Sequence, residues 1–310
     1  MAHHDKLTSL TNYLSQAYLP PLIIDEELPQ NEGSANPWPR IHELDIIENN
    51  VRLCQVVTKI PLEVLQHAVR SYYAGFDNRL RVDWANTRLT LPCPGITVMS
   101  RRDMSHLFIQ NSHDFLEALD RFILGTTAEA LRTIEGCPFD EDTLKFVRIP
   151  VHGAVHGAVD KKRLLWWVHT FGPQDRPTSI LRPGIAVLSF TPWELGVNDL
   201  KEFSARAQFA PNEFQRDNVV GKPWSNALKA WAMAYDSCRV SGYRWFVITT
   251  YDQWVFGTWS LDWTGAEVTD PVPFDKTHGM SVIEMLTFWM ECGRQKTMLW
   301  QISADMPRRY

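Results

Sequence analysis

Apolar residues at positions 62, 65, 69, 72 and 73 follow Pro61 and stop at Gly75, so the spacing predicts a helix over PLEVLQHAVRSYYAG with one face turned inward. A shorter amphipathic stretch, Leu7 to Leu19, precedes PPLIIDEELPQNEGSANPWP, whose proline, glycine and acid content predicts an irregular N-terminal segment over residues 1–40. Residues 41–140 read as a mainly helical part. Within it, Leu80–Trp84 and Thr87–Leu91 alternate as a hairpin would across Ala85-Asn86. Asp114–Leu124 and Thr126–Ile134 read as two short helices divided by Gly125.

The pattern changes near residue 141. Lys145–Val159, Leu164–Phe171 and Ile180–Phe190 are β-branched and aromatic runs parted by DKKR and GPQDRPTS, and they predict three successive strands. Lys201–Phe209 alternates Phe203, Ala205, Ala207 and Phe209 against polar neighbours, which predicts a fourth, half-buried strand. A helix follows from Pro223 to Cys238, with the proline just inside its start and apolar positions 224, 227, 228, 231 and 235 forming a stripe. Two strands, RWFVITT and WVFGTWSLDW, joined through Tyr251-Asp252-Gln253, and a closing helix Ser281–Cys292 before Gly293 complete the pattern. Residues 141–310 thus predict an α/β core, and the chain as a whole a mixed α/β fold (α+β).

Composition narrows the function. With 310 residues, 45% of them hydrophobic, and 13 Trp, 15 Phe and 8 Tyr, the chain carries too much apolar area to stay a solvated coil. No stretch approaches the roughly 18 to 20 consecutive apolar residues of a membrane helix, and MAHHDKLTSL lacks the apolar heart of a secretory signal. The expectation is an intracellular protein, cytoplasmic or nuclear, with no membrane partner. Cys54, Cys93, Cys137, Cys238 and Cys292 are scattered, which fits reduced thiols, mostly buried, rather than a disulfide framework or a CxxC zinc site. A net charge of −5 argues against a basic coat for nucleic acid, so a protein or small-molecule partner is favoured.

Candidate chemistry is sparse. VHGAVHGAV sets His152 and His156 four residues apart, which on a strand is one face and about 13 Å, too far for one metal ion. Helical spacing would suit a zinc pair, but the glycines and valines of this run oppose a helix. His169, on the neighbouring predicted strand, could meet one of them; structural histidines and a catalytic or ligand-binding histidine both stand open. FDEDTLKF reads as a helix start with acids at its positive end. No GxSxG elbow supports acyl transfer. The tryptophans of the second half suit a core, although outward ones, with Trp193 and Trp224 as candidates, could line a pocket or a platform.

The order helix, strand, strand, strand, helix, strand resembles the core of the PD-(D/E)xK nuclease-like superfamily. GYRWFVITTYDQWVFGTWSLDWTG is similar to the segment after the core helix in such proteins. More narrowly, Tyr243–Lys276, ending PVPFDK, is similar to the nuclease-like region that precedes the kinase in basidiomycete fungal-type protein kinases. The likeness covers residues 145–292, about half of the chain, and implies a restriction-endonuclease-like sheet core beside a helical N-terminal part, and a fungal origin. The kinase itself is absent, since no Gly-rich loop, HRD or DFG sequence occurs.

In that superfamily an Asp ends one strand, an acid sits on the next, and a Lys two residues later orients the nucleophile around one or two Mg²⁺. The first motif maps to Arg182-Pro183-Gly184, where Gly184 stands in place of the carboxylate. The second maps to Lys201-Glu202-Phe203-Ser204, with Glu202 as the acid and Ser204 where Lys would stand; on a strand these two share one face and Lys201 takes the other. Lys222 could swing in from just before the helix, and Glu117, Glu129 or Glu135 could complete an acidic pair with Glu202. Loss of the Asp and the Lys together implies a pseudonuclease that binds a partner or ligand, without a cofactor, in the cleft around Gly184, Glu202, Ser204 and Lys222. Two alternatives stay open. One is a Mg²⁺- or Mn²⁺-dependent nuclease with its metal at Glu202. The other is an enzyme acting on an apolar small molecule in a Trp-lined pocket, with His152, His156 or His169 as its acid–base group.

Overall fold

A computed structural model of the chain describes residues 7–24, 51–76, 80–83, 89–91, 93, 108–109, 112–137, 145–150, 165–170, 184–210, 213–214, 224–275, 279–294, 297 and 300. The strands are Leu7–Ser9 (β1), Ile23–Ile24 (β2), Val56–Ile60 (β3), Arg81–Asp83 (β4), Phe108–Ile109 (β5), Lys145–Pro150 (β6), Leu165–Thr170 (β7), Ile185–Ser189 (β8), Trp245–Thr249 (β9), Gln253–Trp259 (β10), Gly265–Thr269 (β11) and Val272–Pro273 (β12). The helices are Leu10–Gln16 (α1), Leu62–Ala74 (α2), Ser112–Ala118 (α3), Gly125–Ile134 (α4), Val197–Ala205 (α5), Asn226–Ser241 (α6) and Val282–Gly293 (α7), with a π-helical turn, Leu119–Leu124, joining α3 to α4. None of them is long and apolar enough to cross a membrane.

One mixed sheet, in the order β3-β11-β10-β9-β8-β7-β6, organises the molecule. Strands β6, β7 and β8 run antiparallel in turn, β8 lies parallel to β9, β9-β10-β11 are again antiparallel, and β11 lies parallel to β3. The side-chain period of two divides the apolar strand residues between two faces. Ile185, Val187, Trp245, Val247, Trp254 and Phe256 pack with residues of α1, α2, α3, α4 and α7. Ala186, Leu188, Phe246, Ile248, Val255 and Val268 pack with α5 and α6 on the other side. The result is three layers, helix, sheet and helix, because a sheet apolar on both faces must be covered twice.

The periodicity of α2 and the β9–β10 hairpin appear where the sequence predicts them, and so do parts of the three strands β6, β7 and β8. Other expectations are corrected. Arg81–Asp83 pairs antiparallel with β1, Leu7 opposite Asp83, and Leu89 and Leu91 are buried without strand pairing, so the expected hairpin across 85–86 does not form from these residues. An isolated two-stranded hairpin is marginal in water, and β1 offers a partner already anchored by α1. Gly125 does not divide two helices: its φ of −60° and ψ of −46° are helical, and the π turn carries the chain through. Buried Leu119, Phe122, Ile123 and Leu124 outweigh one glycine's preference.

Lys201–Phe209 is not a strand. Residues 197–205 form α5, whose start is closed by the Asp199 carboxylate accepting from the Gly196 N–H at 2.9 Å. Leu200, Phe203 and Ser204, at helical spacing, are its buried face. Only Gln208 keeps a strand-like contact, a bridge opposite Val56. The predicted start of the next helix, Pro223, lies outside the described residues; α6 begins at Asn226 behind its cap Ser225, whose hydroxyl accepts from the Leu228 N–H at 3.2 Å. That helix runs on past Cys238 to Ser241 and stops at Gly242, which has a left-handed φ of 78°. The N-terminal half also supplies a strand that its pattern did not predict: β3 joins the sheet beside β11, across the change of pattern near residue 141.

Candidate functional site

Gly184 sits immediately before β8 with φ +153°, and a Cβ placed on it would come within 2.4 Å of the Tyr243 ring. Its N–H donates to the Gly293 carbonyl at 2.8 Å, tying the head of β8 to the end of α7. Where the superfamily resemblance asks for a carboxylate, the space is taken by an aromatic ring. No side chain fits there without moving Tyr243.

The second expected motif is taken apart by α5. Residues two apart on a helix point away from each other, so Glu202 and Ser204 do not share a face. Glu202 is exposed, accepts from Ser225 Oγ at 2.7 Å and lies 3.9 Å from the Arg206 guanidinium. Ser204 is buried; its hydroxyl donates to the Lys201 carbonyl at 3.2 Å and lies 3.5 Å from Asp270, which is paired with Lys59. Strands β8 and β11 point the same way, and the register sets Gly184 level with Ala266, so Asp270, after β11, lies four residues, about 13 Å, further along the strands. Gly184 and Ser204 therefore do not line one cleft.

Nor can the helical acids pair with Glu202, because α3 and α4 cover one face of the sheet and α5 the other. Glu117 is exposed on α3. Glu129 is buried and bonded to Arg132 at 3.1 Å, while Glu135 is held by Arg294 at 2.7 Å, which also pairs with Glu291. Burial pushes the Glu291 carboxyl up, against the pull of Arg294. Among the described residues, no three His, Cys, Asp or Glu side chains gather as a metal site would.

Trp193 packs edge-on against Phe115, and Trp224 lies under the Arg52 guanidinium, 5.7 Å from its ring centre. Trp231, Trp254, Trp259 and Trp289 are fully buried, and the half-buried Trp193 and Trp224 pack against the two cores. Lys222, His152 and His156 lie outside the described residues. The backbone of His169 is in β7, in register with Phe146 of β6.

A groove of about 460 Å³ does open, between the π turn with α4 and the start of β6. In the π turn the Gly125 N–H reaches back to the Asp120 carbonyl, the five-residue step that widens the helix there. Asp120, Arg121, Leu124 and Gly125 line one wall, with Ala128 and Arg132 from the next turns. Lys145 and Phe146 close it from β6. Thr90 stitches its segment to the π turn, its hydroxyl donating to the Arg121 carbonyl at 2.9 Å and its N–H to Thr126 Oγ1 at 3.2 Å. Lys145 is level with Thr170, and the β7–β8 register carries that level to Gly184, so the groove lies at the Gly184 end of the sheet.

Sequence reasoning missed this groove because its walls come from three separated segments and because Gly125 signals a break rather than a continued helix. The remaining signal was Arg121, Arg132 and Lys145 falling on either side of one helix–strand junction. No family model, no curated protein and no solved structure matches the chain.

Proposed function

We propose that the chain is a degenerate nuclease-fold protein, a pseudonuclease that binds a ligand or partner without cutting phosphodiesters. One observation carries this: at the first mapped motif the Tyr243 ring occupies the space at Gly184, and the second, Lys201-Glu202-Phe203-Ser204, lies in helix α5, which parts Glu202 from Ser204. A hard dication needs near-octahedral oxygen ligands, one or two of them carboxylates, both to be held and to activate water. The order α4, β6, β7, β8, α5, α6, β9, with β6–β8 antiparallel and β9 parallel to β8, supports the restriction-endonuclease-like scaffold that the resemblance implies, with α5 as an added helix. A fungal origin rests on the same resemblance. An intracellular setting, cytoplasmic or nuclear, goes with the buried thiols of Cys54, Cys93, Cys238 and Cys292.

The test is incubation of the whole protein with single-stranded DNA, duplex DNA and RNA in Mg²⁺ or Mn²⁺. The expected result is no cleavage above that of a Glu202→Ala preparation. Cleavage by the wild type that vanishes in Glu202→Ala would return the metal-dependent nuclease, with Glu202 as its ligand.

A further inference from the structure

We infer that Arg239 and Arg244, set around the Trp263 ring, bind the oxyanion of a small molecule, phosphate or carboxylate. This rests on the chain being a binder rather than a nuclease, and it gives that binder a site apart from Glu202.

Arg52, Arg132, Arg244 and Arg294 are the buried arginines among the described residues. Three of them carry a carboxylate: Arg52 meets Asp236 at 2.6 Å, Arg132 meets Glu129 at 3.1 Å and Arg294 meets Glu135 at 2.7 Å. Arg244, only 6% exposed, differs. Its guanidinium donates to the Ser260 carbonyl and, among the described residues, has no acid within ion-pair distance. A buried charge left without a counter-charge costs free energy, which is why buried arginines are so regularly paired.

The fold brings Arg244 a second cation instead. The Arg244 guanidinium stacks 3.9 Å from the centre of the Trp263 ring, and that of Arg239, exposed in the last turn of α6, lies 5.1 Å from the same centre. Asp262, next to Trp263, is spent on its own turn: its oxygens accept from Ser260 Oγ at 2.6 Å, from the Thr264 N–H at 3.0 Å and from Thr264 Oγ1 at 2.6 Å. Burial, and after it the Arg239 charge, push the Arg244 pKa down to about 10 against the weaker pull of Asp262. An oxyanion lodged against both guanidiniums would offset Arg239 and supply the missing counter-charge.

The site is built before a ligand arrives. Trp263 is anchored by its N–H on the Ser260 carbonyl at 3.1 Å and by the Tyr235 ring, 5.7 Å away. Ser260 and that indole fix the planar fork of Arg244, whose shape matches two oxygens of one phosphate or carboxylate, and the exposed Arg239 can close on the same group. Two guanidiniums suit one oxyanion, whereas a polynucleotide track needs a row of cations, and this chain has a net charge of −5. The β8–β9 register sets Arg244 level with Gly184, while Ser225, where Glu202 docks, is at the far end of α6 from Arg239, about 20 Å along the helix axis.

The experiment follows the arginine Nε–Hε resonances of the full, isotope-labelled chain during titration with sodium phosphate and with sodium acetate at constant ionic strength. The resonances that disappear in Arg239→Gln and in Arg244→Gln should shift saturably with phosphate, with acetate, or with both, and the tighter probe names the oxyanion. Arg239→Gln, an exposed change checked for an unaltered circular dichroism spectrum, should weaken the tighter probe about tenfold, read on the Arg244 resonance. Arg70→Gln, an exposed cation of α2 on the other side of the sheet, should leave binding unchanged. If the two arginines serve only to clamp Trp263, neither probe gives a saturable shift, and that result overturns the inference. So does an affinity that Arg239→Gln leaves unchanged, or an oligonucleotide that displaces the tighter probe and binds more strongly. If no cleavage is seen, a failure here leaves the pseudonuclease reading in place. Cleavage lost in Glu202→Ala overturns that reading whatever the arginines do.

Discussion

Gly184 and Gly293 meet backbone to backbone: the Gly184 N–H donates to the Gly293 carbonyl at 2.8 Å, and a Cβ on Gly293 would lie 2.8 Å from the Gly184 oxygen. The contact locks the start of β8 under the last turn of α7, and the Tyr243 ring fills the remaining side of Gly184. Gly184→Asp, the change that would restore an acid there, should therefore destabilise the fold rather than revive a metal site. The positive φ and the ring together predict a loss of about 2 to 4 kcal/mol, read as a lower urea midpoint. A Gly184→Asp protein as stable as wild type would show that Tyr243 yields freely.

Glu202→Ala should cost little. The carboxylate is exposed, and what it loses is one hydrogen bond from Ser225 and a loose approach to Arg206. The change in unfolding free energy should stay within about 1 kcal/mol. A larger loss would mean that the Ser225 cap of α6 depends on Glu202.

Arg52→Ala should be severe. Arg52 is buried and grips both oxygens of Asp236, at 2.9 and 2.6 Å, while donating to the Phe214 carbonyl at 3.0 Å. Removing it leaves the Asp236 carboxylate, already pushed up by burial, without the partner that pulls it back. A loss of about 3 to 5 kcal/mol is expected, measured by chemical denaturation. A loss under about 1 kcal/mol would show that Asp236 turns out to water.

Stability should depend on pH through Glu291. Burial raises its pKa in the folded protein above the ordinary 4.5, so between 4.5 and the raised value the folded state binds more protons than the unfolded one. Linkage then makes the contribution of Glu291 to stability fall as pH rises through that window. Glu291→Gln lacks the titration, so the stability of the variant relative to wild type should climb from about pH 4 to about pH 7. A difference that is flat with pH, or that falls, contradicts this.

Thiol reactivity should single out one cysteine. Cys54, Cys93, Cys238 and Cys292 are buried, and burial pushes the Cys238 thiol up to about 12, whereas Cys137 is half-buried at the end of the α4 segment. Ellman's reagent on the native protein should modify Cys137 first, and Cys137→Ser should remove the fast phase. A fast phase that survives the substitution would mean that another cysteine opens to solvent.

The parts of the fold legible in the sequence are those where one period dominates. RWFVITT and WVFGTWSLDW form β9 and β10 because both are apolar on both faces and meet at Tyr251-Asp252, with Tyr251 in a left-handed turn at φ 71°. Residues 201–209 hold two periods at once. Phe203, Ala205, Ala207 and Phe209 alternate, while Leu200, Phe203 and Ser204 recur at helical spacing. The Gly196–Asp199 cap, upstream of the alternation, decides for the helix and takes the predicted acid site with it. The groove was illegible for another reason, since a side-chain constellation from Thr90, Arg121 and Lys145 exists only once the π turn and β6 are brought side by side.

The parallel docking of β3 on β11 has a cost in time. During synthesis Val56–Ile60 emerges early, and its neighbour Gly265–Thr269 leaves the ribosome on the order of ten seconds or more afterwards. Until then a strand carrying exposed Leu53 and Val51 just ahead of it waits with open hydrogen-bonding groups. Conversely, a recombinant fragment beginning at residue 141 would bare the outer edge of β11 and strip α1 to α4 from one sheet face, so it should be recovered as aggregate rather than as an autonomous nuclease-like unit.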